Sequence, residues 1–222
     1  MLTINEGEWA QIRLEADSYE GWCRASQLHM VTKKEYFKPT KFFSGKHTDK
    51  LVFESSEMWL PLGSEFVKSK VTIASQTAKF KGGKLDASKL NASESNLRDI
   101  AMHYLHAPYQ WGGKTIAGID CSGLSQMAFK LCGVAIPRDA SQQATEGETV
   151  DFLQHAKCGD LAFFDNEEGK INHVGMILDH QTIIHATESS GRVVVDKIDQ
   201  GGIISASLRK RTHNLRMVRR YF

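Results

Sequence analysis

The apolar positions of this chain change their spacing part-way along it. Over the first 80 residues they fall in short runs with polar residues between them. Trp9, Ile12 and Leu14 alternate with Gln11, Arg13 and Glu15. A turn at Tyr19-Glu20-Gly21 feeds a second run, Trp22 to Leu28. Leu51-Val52-Phe53, Glu65-Phe66-Val67 and Val71 to Ala74 follow, each bounded by polar or glycine-containing turns. Short strands with close turns predict a small all-β barrel over residues 1–82. Gly82-Gly83, Lys84, Asp86, Ser88, Asn91 and Ser93 then give a polar, glycine-containing stretch, and residues 83–95 are read as a linker.

Beyond residue 95 the spacing lengthens. Leu97, Ile100, Ala101, Tyr104 and Leu105 form a stripe that predicts a helix from Ser95 to His106, ended by Pro108. Leu124, Met127, Ala128 and Leu131 predict a second helix with one buried face, stopped at Gly133 and Pro137. Shorter apolar runs then predict strands at Leu161–Phe164, His173–Leu178, Gln181–Ala186, Arg192–Asp196 and Leu215–Phe222. Residues 96–222 therefore read as an α+β domain with helices packed on an antiparallel sheet.

Composition narrows the options only slightly. Of 222 residues, 41% are hydrophobic and 24% charged, as in ordinary globular proteins. A net charge of +2 gives no electrostatic case for a nucleic-acid partner. No apolar run is long enough for a membrane span. The first residues carry no basic, apolar export signal, so a chain complete as written is expected in the cytoplasm, and one that lost a signal outside it. The sequence fixes no oligomeric state.

The candidate chemistry begins at Asp120-Cys121-Ser122-Gly123. Cys121 stands at the start of the second helix, where unpaired N–H groups and the helix dipole favour a thiolate. Cys23, Cys132 and Cys158 read as small buried residues, and no CxxC pair points to zinc. His103 and His106 are three apart but have no third ligand nearby, so no metal or organic cofactor is expected. His173 starts one strand and His185 ends the next, so antiparallel pairing would bring the two rings together. A nucleophile, a base and a group that orients the base form the minimal set for covalent acyl transfer. Arg209-Lys210-Arg211, Arg216, Arg219 and Arg220 read as charges guarding an edge strand, with contact to an anionic polymer as the other reading.

Several stretches together resemble a known family. Tyr109-x-Trp111-Gly112-Gly113, Asp120-Cys121-Ser122-Gly123, Pro137-Arg138-Asp139, Gly159-Asp160-Leu161-x-Phe163-Phe164, His173-Val174-Gly175-Met176-Ile177 and Ile184-His185-Ala186 occur in the order of the NlpC family of papain-like cysteine peptidases. The N-terminal Glu6-Gly7-Glu8-Trp9-Ala10-Gln11-Ile12 and Tyr19-Glu20-Gly21-Trp22 resemble a bacterial SH3-like domain. The resemblance implies a papain-like catalytic domain preceded by a small barrel. It implies Cys121 as nucleophile, His173 as base and His185 as third member. Tyr109 would assist the oxyanion site. Asp120 and Ser122 would contact substrate, Asp120 through a free amino group, and Arg138, Asp139 and Ser141 would line the cleft. The implied partners are peptidoglycan-derived peptides (muropeptides). The implied reaction cuts the γ-D-glutamyl–L-diamino acid bond of short peptides with a free N-terminal L-Ala, with diaminopimelate and lysine both open. Relatives close the cleft with the small domain, where Tyr19 and Tyr36 are the candidates. A silent wall-binding protein, or an amidase or acyltransferase on the same fold, is the alternative.

Overall fold

The computed structural model describes residues 3–5, 8–73 and 75–222, so Glu6 and Gly7 of the N-terminal motif and Ala74 lie outside the described residues. The chain divides into two compact units, Met1–Lys89 and Leu90–Phe222.

The first unit is built from short antiparallel strands in three sheets. Trp9–Arg13 pairs with both Thr3–Asn5 and Glu20–Arg24. Lys50–Val52 lies between Glu57–Trp59 and Gln76–Lys81. Phe42–Ser44 is flanked by Glu65–Phe66 and Lys84–Asp86. The last pairing corrects the linker reading, because Lys84–Asp86 is an ordered strand. Its polar composition reflects exposure, as only Leu85 of the three is half-buried. A small core of Phe42, Leu51, Leu60, Phe66, Ala78 and Phe80 holds this unit. The Phe42 and Phe66 rings stack at 5.3 Å.

The second unit carries two helices of note, α1 (Glu94–Met102) and α2 (Cys121–Lys130), and a short turn of helix, α3 (Ala140–Gln143). Ser93 caps α1 by accepting from the Asn96 N–H. The expected amphipathic character of α2 is overridden, since every residue from Cys121 to Phe129 is buried. Its polar side chains find partners inside the protein: Ser125 donates to the Cys121 carbonyl and Gln126 to the Ile136 carbonyl.

After a two-residue strand, Glu148–Thr149, that pairs with the last strand, six longer strands follow: β1 (Leu161–Asp165), β2 (Ile171–Asp179), β3 (Thr182–Thr187), β4 (Arg192–Asp199), β5 (Gly202–Ser205) and β6 (Lys210–Arg220). Consecutive strands from β1 to β6 pair antiparallel, and β6 also pairs with β1. The sheet thereby closes into a six-stranded barrel instead of remaining open. All six strands contribute to one core, through Ala162, Phe164, Ile177, Ile183, Ile198, Ile203 and Val218. The C-terminal strand is therefore not an edge. Its arginines are drawn into local pairs, Arg211 with Asp199 and Arg220 with Asp160. Among the described residues, no helix is long and apolar enough to cross a membrane.

Candidate active site

The loop before α2 fixes the position of Cys121. Asp120 adopts extended backbone (φ −101°, ψ 178°) and caps α2 by accepting from the Gly123 N–H at 2.7 Å. Its other oxygen accepts from the Gly112 N–H at 2.6 Å, tying the Trp111-Gly112-Gly113 loop to the helix start. Gly123 is required there, because a Cβ would lie 2.3 Å from the Gly113 carbonyl oxygen. Cys121 is thus the first helical residue, as its sequence context predicts.

Asp120, Ser122 and Arg138 form one buried cluster. Arg138 binds both oxygens of Asp120, at 3.1 and 2.6 Å, and donates to the Ser122 hydroxyl at 2.8 Å. An approaching ammonium group would meet an ion pair at Asp120 and not a lone carboxylate. Capping α2 and holding Arg138 are the tasks this geometry gives Asp120. Asp139 is the N-cap residue of α3, and Ser141 stands exposed on that turn. Gln143, fully buried behind them, donates to the Ser122 and Pro137 carbonyls.

Burial, with Asp120 nearby, pushes the Cys121 thiol up to about 11. The backbone N–H groups of Val174 and Ser122 and the charge of Arg138 act against that shift. The helix-start argument therefore loses to desolvation in the resting site. A thiolate must form by giving its proton to a partner. Tyr109 is also pushed up, to about 12, by burial and then by Cys121 and Asp120, so its hydroxyl remains a donor beside the sulfur.

The Val174 contact places β2 against the nucleophile, and His173 is its neighbour in the chain. His173 Nε2 lies 2.8 Å from His185 Nδ1, which joins the two rings that the sequence pairs. Gly175 makes room for this, since a Cβ would lie 3.0 Å from that of His185. His185 Nε2 in turn lies 3.2 Å from Asp196 Oδ2, and the other Asp196 oxygen accepts from the Ala206 N–H. Burial, offset by these hydrogen bonds, leaves Asp196 below the usual carboxylate range, so it is an acceptor only.

That fixes the protons along the line. Asp196 accepts from His185 Nε2–H, so His185 Nδ1 accepts from His173 Nε2–H. The lone pair of His173 is left on Nδ1. Burial, with His185 and His213 beside it, holds His173 well below its ordinary pKa, so it rests neutral. Asp196 was not anticipated from the sequence. The signal was an acid directly after three valines, diagonal across the β3–β4 pairing from His185.

His213, also unanticipated, stacks on His173 with ring centroids 4.0 Å apart and planes 21° from parallel. One ring nitrogen from each of His173, His185 and His213 lies within 4.8 Å of the other two. Near-parallel rings point their lone pairs side by side, so those of His173 and His213 do not converge on one ion. His103 and His106 take no part in this cluster.

The NlpC/P60 family pattern matches residues 106–212, which contain Cys121, His173, His185 and Asp196. A γ-D-glutamyl-L-lysine dipeptidyl-peptidase of Bacillus subtilis (strain 168) is 30% identical over 212 residues, covering 88% of this chain and 71% of its own length. The chain belongs to the NlpC/P60 family. As a member it is a peptidase-type hydrolase. Dipeptidyl-peptidase 6 of Lysinibacillus sphaericus is 38% identical over 115 residues, half of this chain, and the match spans only 38% of that protein. An NlpC/P60 family protein from Bacillus cereus ATCC 10987 has the same fold, with a TM-score of 0.79 at 21% identity over 98% of this chain and 77% of that one.

Proposed function

We propose that this NlpC/P60 protein hydrolyses the γ-D-glutamyl–L-diamino acid bond of peptidoglycan stem peptides through a thioester on Cys121. The observation that supports it most is the buried line His173–His185–Asp196, anchored beside the sulfur through Val174. His173 Nδ1 takes the thiol proton as the sulfur attacks the glutamyl carbonyl carbon. The resulting imidazolium is stabilised by His185, whose dipole is set by Asp196. The oxyanion is received by the backbone N–H of Cys121 and by the Tyr109 hydroxyl. His173 then protonates the departing amine. A water molecule, deprotonated by the same imidazole, cleaves the thioester to the free acid and restores the thiol. Tyr109, Ser122 and Arg138 form the polar side of the cleft, with Asp120 holding them in place and Asp139 and Ser141 next in the chain. A requirement for free N-terminal L-Ala and an SH3-like role for the first unit belong to the same proposal.

The test is release of the diamino acid from L-Ala-γ-D-Glu-diaminopimelate and from its lysine counterpart. Wild type should turn over one or both, and Cys121→Ala neither. Equal release by the two proteins would end the reading.

A further inference from the structure

We infer that His213 is a positioning residue for His173: its ring face holds the imidazole in the plane from which Nδ1 reaches the Cys121 sulfur. This rests on His173 being the base.

A ring held only at Nε2 can pivot about that one bond. His185 supplies the bond and meets the ring nearly perpendicular, at 83°. Phe164 approaches at 5.7 Å and a 48° tilt. Among the ring contacts of the described residues, that of His213 is the one that covers a face, at 4.0 Å. Its own orientation is fixed twice, by Nδ1 2.9 Å from the Thr212 hydroxyl and by edge contact with Phe164 at 5.9 Å.

The strand is shaped to deliver this ring. Along β6 the register slips once where Ile203 and Ile204 face His213 and Arg211, leaving Thr212 as an extra residue. It slips again where Phe163 and Phe164 face Met217 and Leu215, leaving Arg216 extra. Each extra residue reverses which side of the strand the next side chains take, and bulges of this kind re-aim side chains beside active sites. Two bulges bracket His213–Leu215.

His213 rests neutral, because burial and His185 bring it down to about 4. It therefore presents a π face to the imidazolium that forms at His173 and no competing charge. The ionisable groups that act on the pair are His185 and Asp196.

The test compares full-length wild type, His213→Phe and His213→Ala. The readout is the rate of Cys121 alkylation by iodoacetamide against pH, located by peptide mass spectrometry, which needs no knowledge of the substrate. His213→Phe keeps the stack and should stay within a few-fold of wild type with the same pH profile. His213→Ala should be slowed about tenfold or more at pH 7, a fraction of what a placed base contributes. Its acid limb should move up towards the ordinary imidazole range as water reaches His173. A wild-type rate and profile in His213→Ala would overturn the inference. So would a His213→Phe protein as slow as His213→Ala, because a ring face would then not be what matters. Alkylation unchanged in His173→Gln would remove the base assignment, and this inference with it.

Discussion

At the scale of single residues, the site runs against the simplest expectation for a cysteine at a helix start. The dipole and free N–H groups of α2 favour a thiolate, yet burial dominates and the thiol stays protonated at neutral pH. His173 is neutral for the same reason, because desolvation disfavours its charged form. The resting pair is then thiol and imidazole, and in the proposed reaction the proton moves as the sulfur attacks. The acid limb of kcat/KM should accordingly lie below pH 6.5, the ordinary value for His, and a limb at or above it would contradict a neutral, buried base. Asp196→Asn tests the far end of the relay. Its amide can donate to His185 Nε2, which would leave the His185 proton on Nδ1, facing His173. Loss of kcat of about 10²-fold or more is expected, with little change in KM, by analogy with other triads whose tautomer is inverted. The place of Cys121 at a helix start and the meeting of His173 with His185 were legible because each sits in a local motif. Asp196 was not, because its role exists only across the β3–β4 register, where residue 196 lies diagonal to His185.

At the scale of elements, α2 and β6 carry most of what separates pattern from structure. The stripe Leu124, Met127, Ala128 and Leu131 correctly predicts a helix at α2. It does not reveal that the remaining face is buried too, because Ser122, Ser125 and Gln126 are polar residues with internal partners. The same holds for Asp120 and Arg138, which are buried as a pair with side chains 7% and 10% exposed. Arg138→Ala should destabilise the second unit by about 3–5 kcal/mol, the usual cost of leaving a buried charge without its partner. Urea denaturation checks this, and a loss under 1 kcal/mol would mean that water replaces the guanidinium freely. Gly123→Ala should be harmful out of proportion to one methyl group, because the atom it would strike is the Gly113 carbonyl in the loop that Asp120 ties down. For β6, the apolar pattern marks only the end from Leu215 onward. The strand begins at Lys210, and its first residues alternate poorly because a bulge at Thr212 breaks the period. His213 was hidden for that reason.

At the scale of the whole second unit, the buried histidines set how the fold responds to acid. His213 titrates near 4 when folded and near 6.5 when unfolded, so between those values the unfolded chain binds the extra proton. Stability must then fall as pH drops from 6.5 towards 4. His173 adds to the same slope, its folded value being lowered as well. The sign reverses at the alkaline end. Cys121 and Cys132 titrate near 11 folded against 9 unfolded, so stability is full below 9 and declines as pH rises towards 11. The unit should show a plateau between about pH 6.5 and 9. Its acid side should be shallower in His213→Phe by about 1–3 kcal/mol over the fall to pH 4, scaled from 1.36 kcal/mol per pKa unit and reduced for partial exposure. Urea midpoints at a series of pH values, followed by amide exchange in residues 171–187, read the second unit apart from the first. If the His213→Phe and wild-type curves run parallel from pH 7 to 4, His213 is not held neutral by burial. The face it offers to His173 would then carry a charge in mildly acidic solution, and the base beneath it could not be protonated during turnover without repulsion.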